Sequence, residues 1–471
     1  MSHDAQFWAD RLFPPHLVVR DLARQLFEAV RTLPIISPHG HTEPRWFADD
    51  VPFEDPAKLF IVPDHYLFRM LYSQGLALED LGVARGDGGP VETDSRTIWR
   101  RFASHYYLFR GTPSRLWLDY VLREVFAIDE PLELATADAI YDHLAQQLQT
   151  PAFRPRALFE RFNIEVLATT DAATDELIHH RALGDSGWSG RVIPTFRPDA
   201  VVDPHYEGFA HHVARLGELT GEDTSRWEGY LRALAVRREY FKALGATATD
   251  HGHPSATSAD MEPARCQRLL RSALEGTLTP PEAELFRGQM ITEMARMSLD
   301  DGLVLQLHVG SWRNHNPWVF ERFGRDKGAD IPTATDYVQA LKPLLDRFGN
   351  ERRLTVILFT LDDSRYAREL APLAGHYPIL RLGPPWWFYD SVEGILQFRR
   401  QVTETAGFYN TVGFNDDTRA FLSIPARHDM ARRVDCRFLA ELVAEGRLGE
   451  NEAFEVAVDL SYRLAKTAYK L

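Results

Sequence analysis

The chain has 471 residues, 45% of them hydrophobic, with 53 Lys and Arg against 67 Asp and Glu and a net charge of −14. That is enough apolar material for a large core, and an acidic surface excludes nucleic acid or an anionic membrane as the main partner. The two cysteines, Cys266 and Cys436, lie far apart in no metal-ligand spacing, which fits a reducing compartment and gives no disulfide framework. Residues 1–20 lack the apolar core and cleavage site of a secretory leader, and no stretch has the uninterrupted apolar length of a membrane span, so a cytoplasmic protein is expected.

Residues 1–32 have helical periodicity, most clearly over Asp21 to Val30. Leu33-Pro34-Ile35-Ile36 then reads as a buried strand and runs into Ser37-Pro38-His39-Gly40-His41. Residues i and i+2 of a strand share a face, roughly 6.6 Å apart, so His39 and His41 can converge on one metal ion. The plainer alternative is one histidine bonded in the core and the other facing water, and a second His-Gly-His at His251 to His253 shows that the pattern is cheap. Aromatic and leucine-rich segments at helical spacing follow (Tyr66 to Leu71, Thr97 to Phe109, Ala139 to Leu148), so residues 48–155 are expected to form a helical insertion within one domain spanning 1–471.

A strand–helix rhythm sets in after that. Apolar runs at Ile164 to Thr170, Val192 to Phe196, Ala246 to Asp250, Leu303 to Val309, Leu354 to Thr360, Ile379 to Gly383 and Val412 to Asp417 alternate with helical segments at Phe209 to Leu219, Ser225 to Leu244, Pro281 to Ser298, Ala334 to Phe348 and Val392 to Ala406. With the first strand this makes eight units, an α/β chain whose pattern suggests a (β/α)8 TIM barrel. An open doubly wound sheet is the other candidate, but no strand end carries the Gly-rich phosphate turn that usually marks it.

Chemistry in such a barrel gathers at the C-terminal strand ends. Those ends offer His39 and His41, Thr169 to Asp171, Arg197 to Asp199, Asp250 to His253, His308 with Arg313, Asp362 and Asp363, Trp386 and Trp387, and Asp416 to Arg419. Strands one and eight are neighbours in a barrel, so Asp417 is the natural third ligand to His39 and His41, with Asp416 and Asp363 competing. Two histidines and a carboxylate suit one divalent ion, Zn²⁺, Mn²⁺ or Fe²⁺, with Zn²⁺ placed first. Arg197 and Arg313 supply positive charge inside an acidic protein and suit a carboxylate through their planar forks. Trp386 and Trp387 offer flat faces to a sugar's C–H surface, or else cap the loop by packing.

The strand-one His-x-His with a strand-eight Asp resembles the amidohydrolase superfamily. Several segments resemble uronate isomerase (glucuronate isomerase) more closely: Ser37 to His41, Asp64-His65-Tyr66-Leu67-Phe68-Arg69, Phe196 to Asp199, His308 to Asn316, Gly383 to Phe388, Asp417 to Ser423 and Arg427-His428. They keep the family's order across nearly the whole chain. The resemblance implies a distorted (β/α)8 barrel with a large helical insertion after strand one. It also implies interconversion of D-glucuronate and D-fructuronate, and of D-galacturonate and D-tagaturonate, by metal-assisted proton transfer between C2 and C1. It carries His39, His41 and Asp417 over as metal ligands. His65, Tyr66 and Arg419, with Asp417, match positions beside the reacting carbons; Arg197, Asp250, His308, Arg313 and Trp386 match positions that line the sugar acid. Tyr66 is the candidate base, its pKa expected to be lowered by Arg419 and the metal. The chain departs from the family at Ser37, where many members have Asp. The partner implied is a small uronic acid, and the chain is a candidate homo-oligomer.

A mononuclear metal-dependent hydrolase of the same superfamily is the competing reading. Hydrolases of that superfamily often carry a strand-four Lys bridging two metals and a strand-six His; this chain has Thr249-Asp250 and Leu361-Asp362 there, which implies one metal and weakens the hydrolase reading. A non-catalytic sugar-acid binder is the other alternative, more often an exported protein.

Overall fold

The computed structural model describes residues 8–471. Of the helix expected over residues 1–32, Leu17–Val30 is seen, and residues 1–7 lie outside the described part of the chain. This helix buries Ala23, Leu26, Phe27 and Val30 against Cys436, Leu439 and Ala440 of a long helix, Ile424–Ala444.

The expected apolar runs form parallel strands. β1 (Ile35–Ser37), β2 (Ile164–Ala168) and β4 (Arg191–Ile193) make one sheet in that order, with Ile36 opposite Val166 and Leu167 opposite Val192. β3 (Asp171–Ala172) and β5 (Phe196–Arg197) are short continuations of β2 and β4, bridged across the break by Asp171 N–H to Thr195 O and Thr195 N–H to Thr169 O. They lead into β6 (Ala248–His251), β7 (Val304–Val309), β10 (Val356–Thr360) and β11 (Leu380–Leu382), all parallel and adjacent in that order. Burial on both faces explains why β7 and β10 read as continuous apolar runs rather than alternating ones. β8 (Ser311–Trp312) and β9 (Ile331–Pro332) form a separate antiparallel hairpin beyond β7.

The eighth expected strand differs. Val412 to Asp417 is not a ladder strand: Thr411 bridges Leu382, Val412 N–H donates to Leu382 O, and the chain then leaves strand geometry. Gly413 at φ +78° and Asp417 at φ +40° supply the physical reason, since positive φ breaks the pleat. Further on, His41 N–H donates to Thr418 O at 3.0 Å, which brings the last segment beside the first.

Between Ser37 and Ile164 the described residues contain no strand. Short helices fill the span, among them Pro44–Asp49, Pro56–Phe60, His65–Ser73, Ser95–His105, Pro113–Tyr120 and Ala137–Leu148. Asp55, Asp64, Asp94 and Thr112 cap four of them by accepting backbone N–H bonds. Their apolar faces (Phe47, Phe60, Trp99, Phe102, Leu144) share one cluster with Ile35, Ile164 and Leu167 of the strands. Of the segment expected to be helical over Ala334 to Phe348, only Lys342–Phe348 is, started by Pro343 in its first turn. Helices Pro263–Glu275 and Ile424–Ala444 lie outside the expected segments. No helix among the described residues is long and apolar enough to cross a membrane.

Candidate active site

The strand ends open on a cavity of about 620 Å³. His39, His41, His65, Tyr66, Arg197, His308, Arg313, Trp386, Asp417 and Arg419 all line it, so ten of the eleven residues singled out in the sequence meet at one place. The eleventh, Asp250, does not reach the wall: it is fully buried behind it.

His39 and His41 follow β1 on its cavity side. Their Nε2 atoms lie 3.4 and 3.2 Å from the same carboxylate oxygen of Asp417. The first is longer than an ordinary N–H···O bond and the second at its upper limit, and the three ligand atoms all lie within 4.8 Å of one another. His39 Nδ1 is buried without a partner. Burial and Arg419 outweigh Asp417 and push His41 down, which keeps it in the neutral, metal-binding form. Burial would raise Asp417, yet the facing His39 and His41 hold it well below the ordinary carboxylate range. For His39 burial works downward, and the charges of Asp417 and Asp250 overcome it, so its pKa is raised. Two imidazoles and an ionised carboxylate converging on a gap are a donor set that fits a divalent cation. Ser37 is buried with its hydroxyl unpartnered.

Behind this cradle Asp250 organises two neighbours. Its Oδ1 accepts from His308 Nδ1 at 2.6 Å, and its Oδ2 lies 3.0 Å from Arg197 Nη1. Burial would raise its pKa, but Arg197, His308 and His39 hold Asp250 well below the carboxylate range. His308 is lowered to about 4, burial outweighing Asp250, so it is a neutral ring with its proton on Nδ1. Nε2 is therefore a lone pair on a cavity-lining residue with no protein partner, able to accept a substrate hydroxyl. His308 also stacks on His39 and on Trp386, each at 4.4 Å between centroids. One face of Trp386 is thus covered by His308, while the residue still lines the cavity. Trp387 is the more open of the pair, its ring 5.2 Å from the Arg313 guanidinium. His39, Asp250 and His308 also lie within metal-binding distance of one another, as do Asp199, His251 and His253. In both groups the carboxylate is already committed, Asp250 as above and Asp199 to Arg197 Nε at 2.8 Å and to Gly252 N–H.

Arg197 and Arg313 converge over Gly252. A Cβ there would stand 2.3 Å from Arg197 Nη2 and 3.2 Å from Arg313 Nη2, so a side chain at this position would displace the guanidiniums from where they stand. Arg313 is held by the buried Asp330 at 2.9 Å.

Tyr66 does not stand in the surroundings expected for it. Asp64 caps its helix and sets it in the first turn, its ring stacked on His65 at 4.8 Å. Its hydroxyl points at Asp390 Oδ2, 3.4 Å away. The cation near it is Arg427, 5.5 Å from the ring, and that charge is taken by Asp390 at 2.6 Å. Arg419 pairs instead with Asp326 at 3.2 Å. Burial and then Asp390 push the Tyr66 phenol well above its ordinary value, and Arg419, one of the two expected sources of lowering beside the metal, is paired elsewhere. His65 is lowered to about 3 by burial and Arg419. Asp64 and Asp390 are each raised to about 6 by burial, against the pull of Arg427.

Sequence reasoning passed over Asp326, Asp330 and Asp390; Asp199 and Arg427 appeared only as parts of motifs. One signal unites several cavity residues: Asn314, Asp326, Trp387 and Asp417 all have positive φ, an unfavourable backbone for non-glycine residues that gathers at functional sites.

Residues 11–469 match the family described as glucuronate isomerase. The chain belongs to the glucuronate isomerase family. It is 66% identical over 462 residues to the uronate isomerase of Mesorhizobium japonicum, covering 98% of each chain. Among solved structures it superposes on the glucuronate isomerase of Caulobacter crescentus with a TM-score of 0.96 at 59% identity, covering 98% of this chain and 96% of the other. The uronate isomerase of Thermotoga maritima gives 0.91 at 28% identity, over 98% and 99% of the two chains. The α/β fold of parallel strands and outer helices is accordingly that of these isomerases, a distorted (β/α)8 barrel.

Proposed function

We propose that this member of the glucuronate isomerase family interconverts D-glucuronate and the ketose D-fructuronate as an aldose–ketose isomerase, with a divalent ion, Zn²⁺, held by His39, His41 and Asp417. The observation that carries the reading is the convergence of that three-ligand cradle with two guanidiniums in one cavity, within a chain similar to uronate isomerases over nearly its full length. An ion there would act as a Lewis acid for sugar oxygens that gain negative charge when a hydrogen moves from C2 to C1. The chain's own part is to hold the acid end and the hydroxyls in register. His308 Nε2 accepts a hydrogen bond from a sugar hydroxyl, Arg313 binds the carboxylate, and Asp250 fixes both His308 and Arg197 from behind. Incubation with D-glucuronate, and separately with D-galacturonate, should yield ketose; no ketose from either, with hydrolysis of an amide or ester instead, would favour the hydrolase.

Arg313 is the cleaner test of carboxylate binding. Arg197 is wedged between Asp199 and Asp250, so removing it leaves two buried carboxylates unpaired and reports on folding. Arg313→Met should cost about 2 kcal/mol or more of substrate binding, the lower end for a lost buried charge pair. That is roughly a 30-fold fall in kcat/KM on glucuronate. A change below about fivefold would make Arg313 a structural partner of Asp330.

A further inference from the structure

The residues between β8 and β9 carry an acid into the cavity that the functional reading does not use. Asp326 Oδ2 sits 3.2 Å from Arg419 Nη2. Partial desolvation would raise its pKa, but Arg419, then Arg313 and Arg197, hold it down at about 2, so it is an anion at neutral pH. It is not a free-swinging group. Its own φ is +59°. On one side Asp330 accepts from Arg313 Nη1 and from the Asn314 N–H, and His315 N–H donates to Ala329 O. On the other, Gly328 at φ +72° lies so close to the His65 helix that a Cβ would stand 2.6 Å from Arg69 Cβ and 3.0 Å from His65 O. Arg322 completes the anchoring through Glu79 at 3.0 Å and through its carbonyl, which accepts from Gly86 N–H.

Three of the arginines that line the cavity, Arg197, Arg313 and Arg419, differ in how they are held. Arg197 and Arg313 are braced by carboxylates that are buried or nearly so, with side-chain exposures of 13% for Asp199, 0% for Asp250 and 4% for Asp330. Arg419 has a 40% exposed side chain and pairs with Asp326, itself 50% exposed. A long, half-exposed guanidinium loses its place unless something immobilises it.

We propose that Asp326 is a positioning residue for the isomerisation, holding the Arg419 guanidinium beside His65 at the reacting end of the cavity. The proposal rests on the uronate isomerase reading given above. A half-exposed ion pair adds little to folding stability, so its loss will show in turnover and not in unfolding. Asp326→Asn keeps the shape and removes the charge. It should lower kcat by about tenfold or more, the scale of a misplaced group in an active site, while KM stays within about threefold and bound metal and Tm stay at wild-type values. Asp326→Glu should recover most of the loss. In an Arg419→Met background, Asp326→Asn should cost less than about twofold more, because the two act as one unit. A kcat within about twofold of wild type would overturn the proposal. So would a several-fold fall in KM, which would make Asp326 a competitor for the substrate's carboxylate, or losses that simply multiply in the double variant. Wild-type turnover in the same assay separates the layers: an inactive wild type overturns the functional reading and this proposal with it, whereas an active wild type with unaffected variants overturns this proposal alone.

Discussion

His41→Ala is expected to remove the bound metal and lower kcat by roughly 10³-fold or more, the consequence of losing several kcal/mol of charge stabilisation at the sugar oxygens. His41 is the right histidine to change. Its side chain is 24% exposed, whereas that of His39 is 2% exposed and the ring is stacked on His308. Replacing His39 would open a hole in the core; replacing His41 mainly deletes a ligand. Asp417 would then face one imidazole instead of two, too few protein donors for a tight site. Metal analysis of dialysed protein alongside ketose formation checks both halves. His253→Ala is the control, because His253 stands with His251 and Asp199 in the other group of potential ligands. If the metal is lost in His253→Ala and retained in His41→Ala, the ion belongs at the second His-Gly-His and the cradle at the end of β1 holds none.

The parallel strands were legible because each is a short apolar run ended by a polar residue, and burial on both faces writes such a run. The eighth was legible in composition and not in geometry: Val412 to Asp417 has a strand's residues, yet Gly413 and Asp417 take positive φ and leave the ladder. The site followed from the same logic where its residues sit on strand ends, as His39, His41, Arg197 and His308 do. It was not legible where the partner comes from a loop without periodicity. Asp326 and Asp330 lie in such a loop, and nothing in their spacing pairs them with Arg419 and Arg313. Asp250 and Trp386 show a different limit. Sequence placed them at the cavity, but only packing shows that Asp250 stands behind the wall and that His308 covers one face of Trp386. Tyr66 shows a third. Both Arg419 and Arg427 belong to motifs visible in the chain, but the fold decides which guanidinium faces the phenol, and it is Arg427.

Tyr66→Phe is expected to lower kcat by roughly 10²-fold or more, the usual scale for a group that moves a proton in the transition state. Bound metal should stay at the wild-type level. The substitution keeps the ring against His65 and against the edge of Trp117, at 4.8 and 5.9 Å, and takes away only the hydroxyl. An ionised phenol is expensive here. Burial and Asp390 push its pKa well above the ordinary value, and each unit it must come down to act at neutral pH takes roughly 1.4 kcal/mol of selective stabilisation. The nearest cation, Arg427, is already committed to Asp390 and stacked 3.5 Å over Trp117. The pair offers a cheaper route. Asp390, raised to about 6 by burial against the pull of Arg427, titrates close to neutrality, and the Tyr66 hydroxyl points at it. A proton leaving C2 can pass to the Tyr66 oxygen as the phenolic proton passes to Asp390, with no free phenolate on the way. Asp390→Asn should then fall with Tyr66→Phe, and exchange of the C2 hydrogen with solvent should vanish in both. If Tyr66→Phe loses less than about tenfold, Tyr66 only orients the sugar. His65, held at about 3 by burial and Arg419, is too weak an acceptor to take its place, and the hydrogen would then move as hydride directly from C2 to C1.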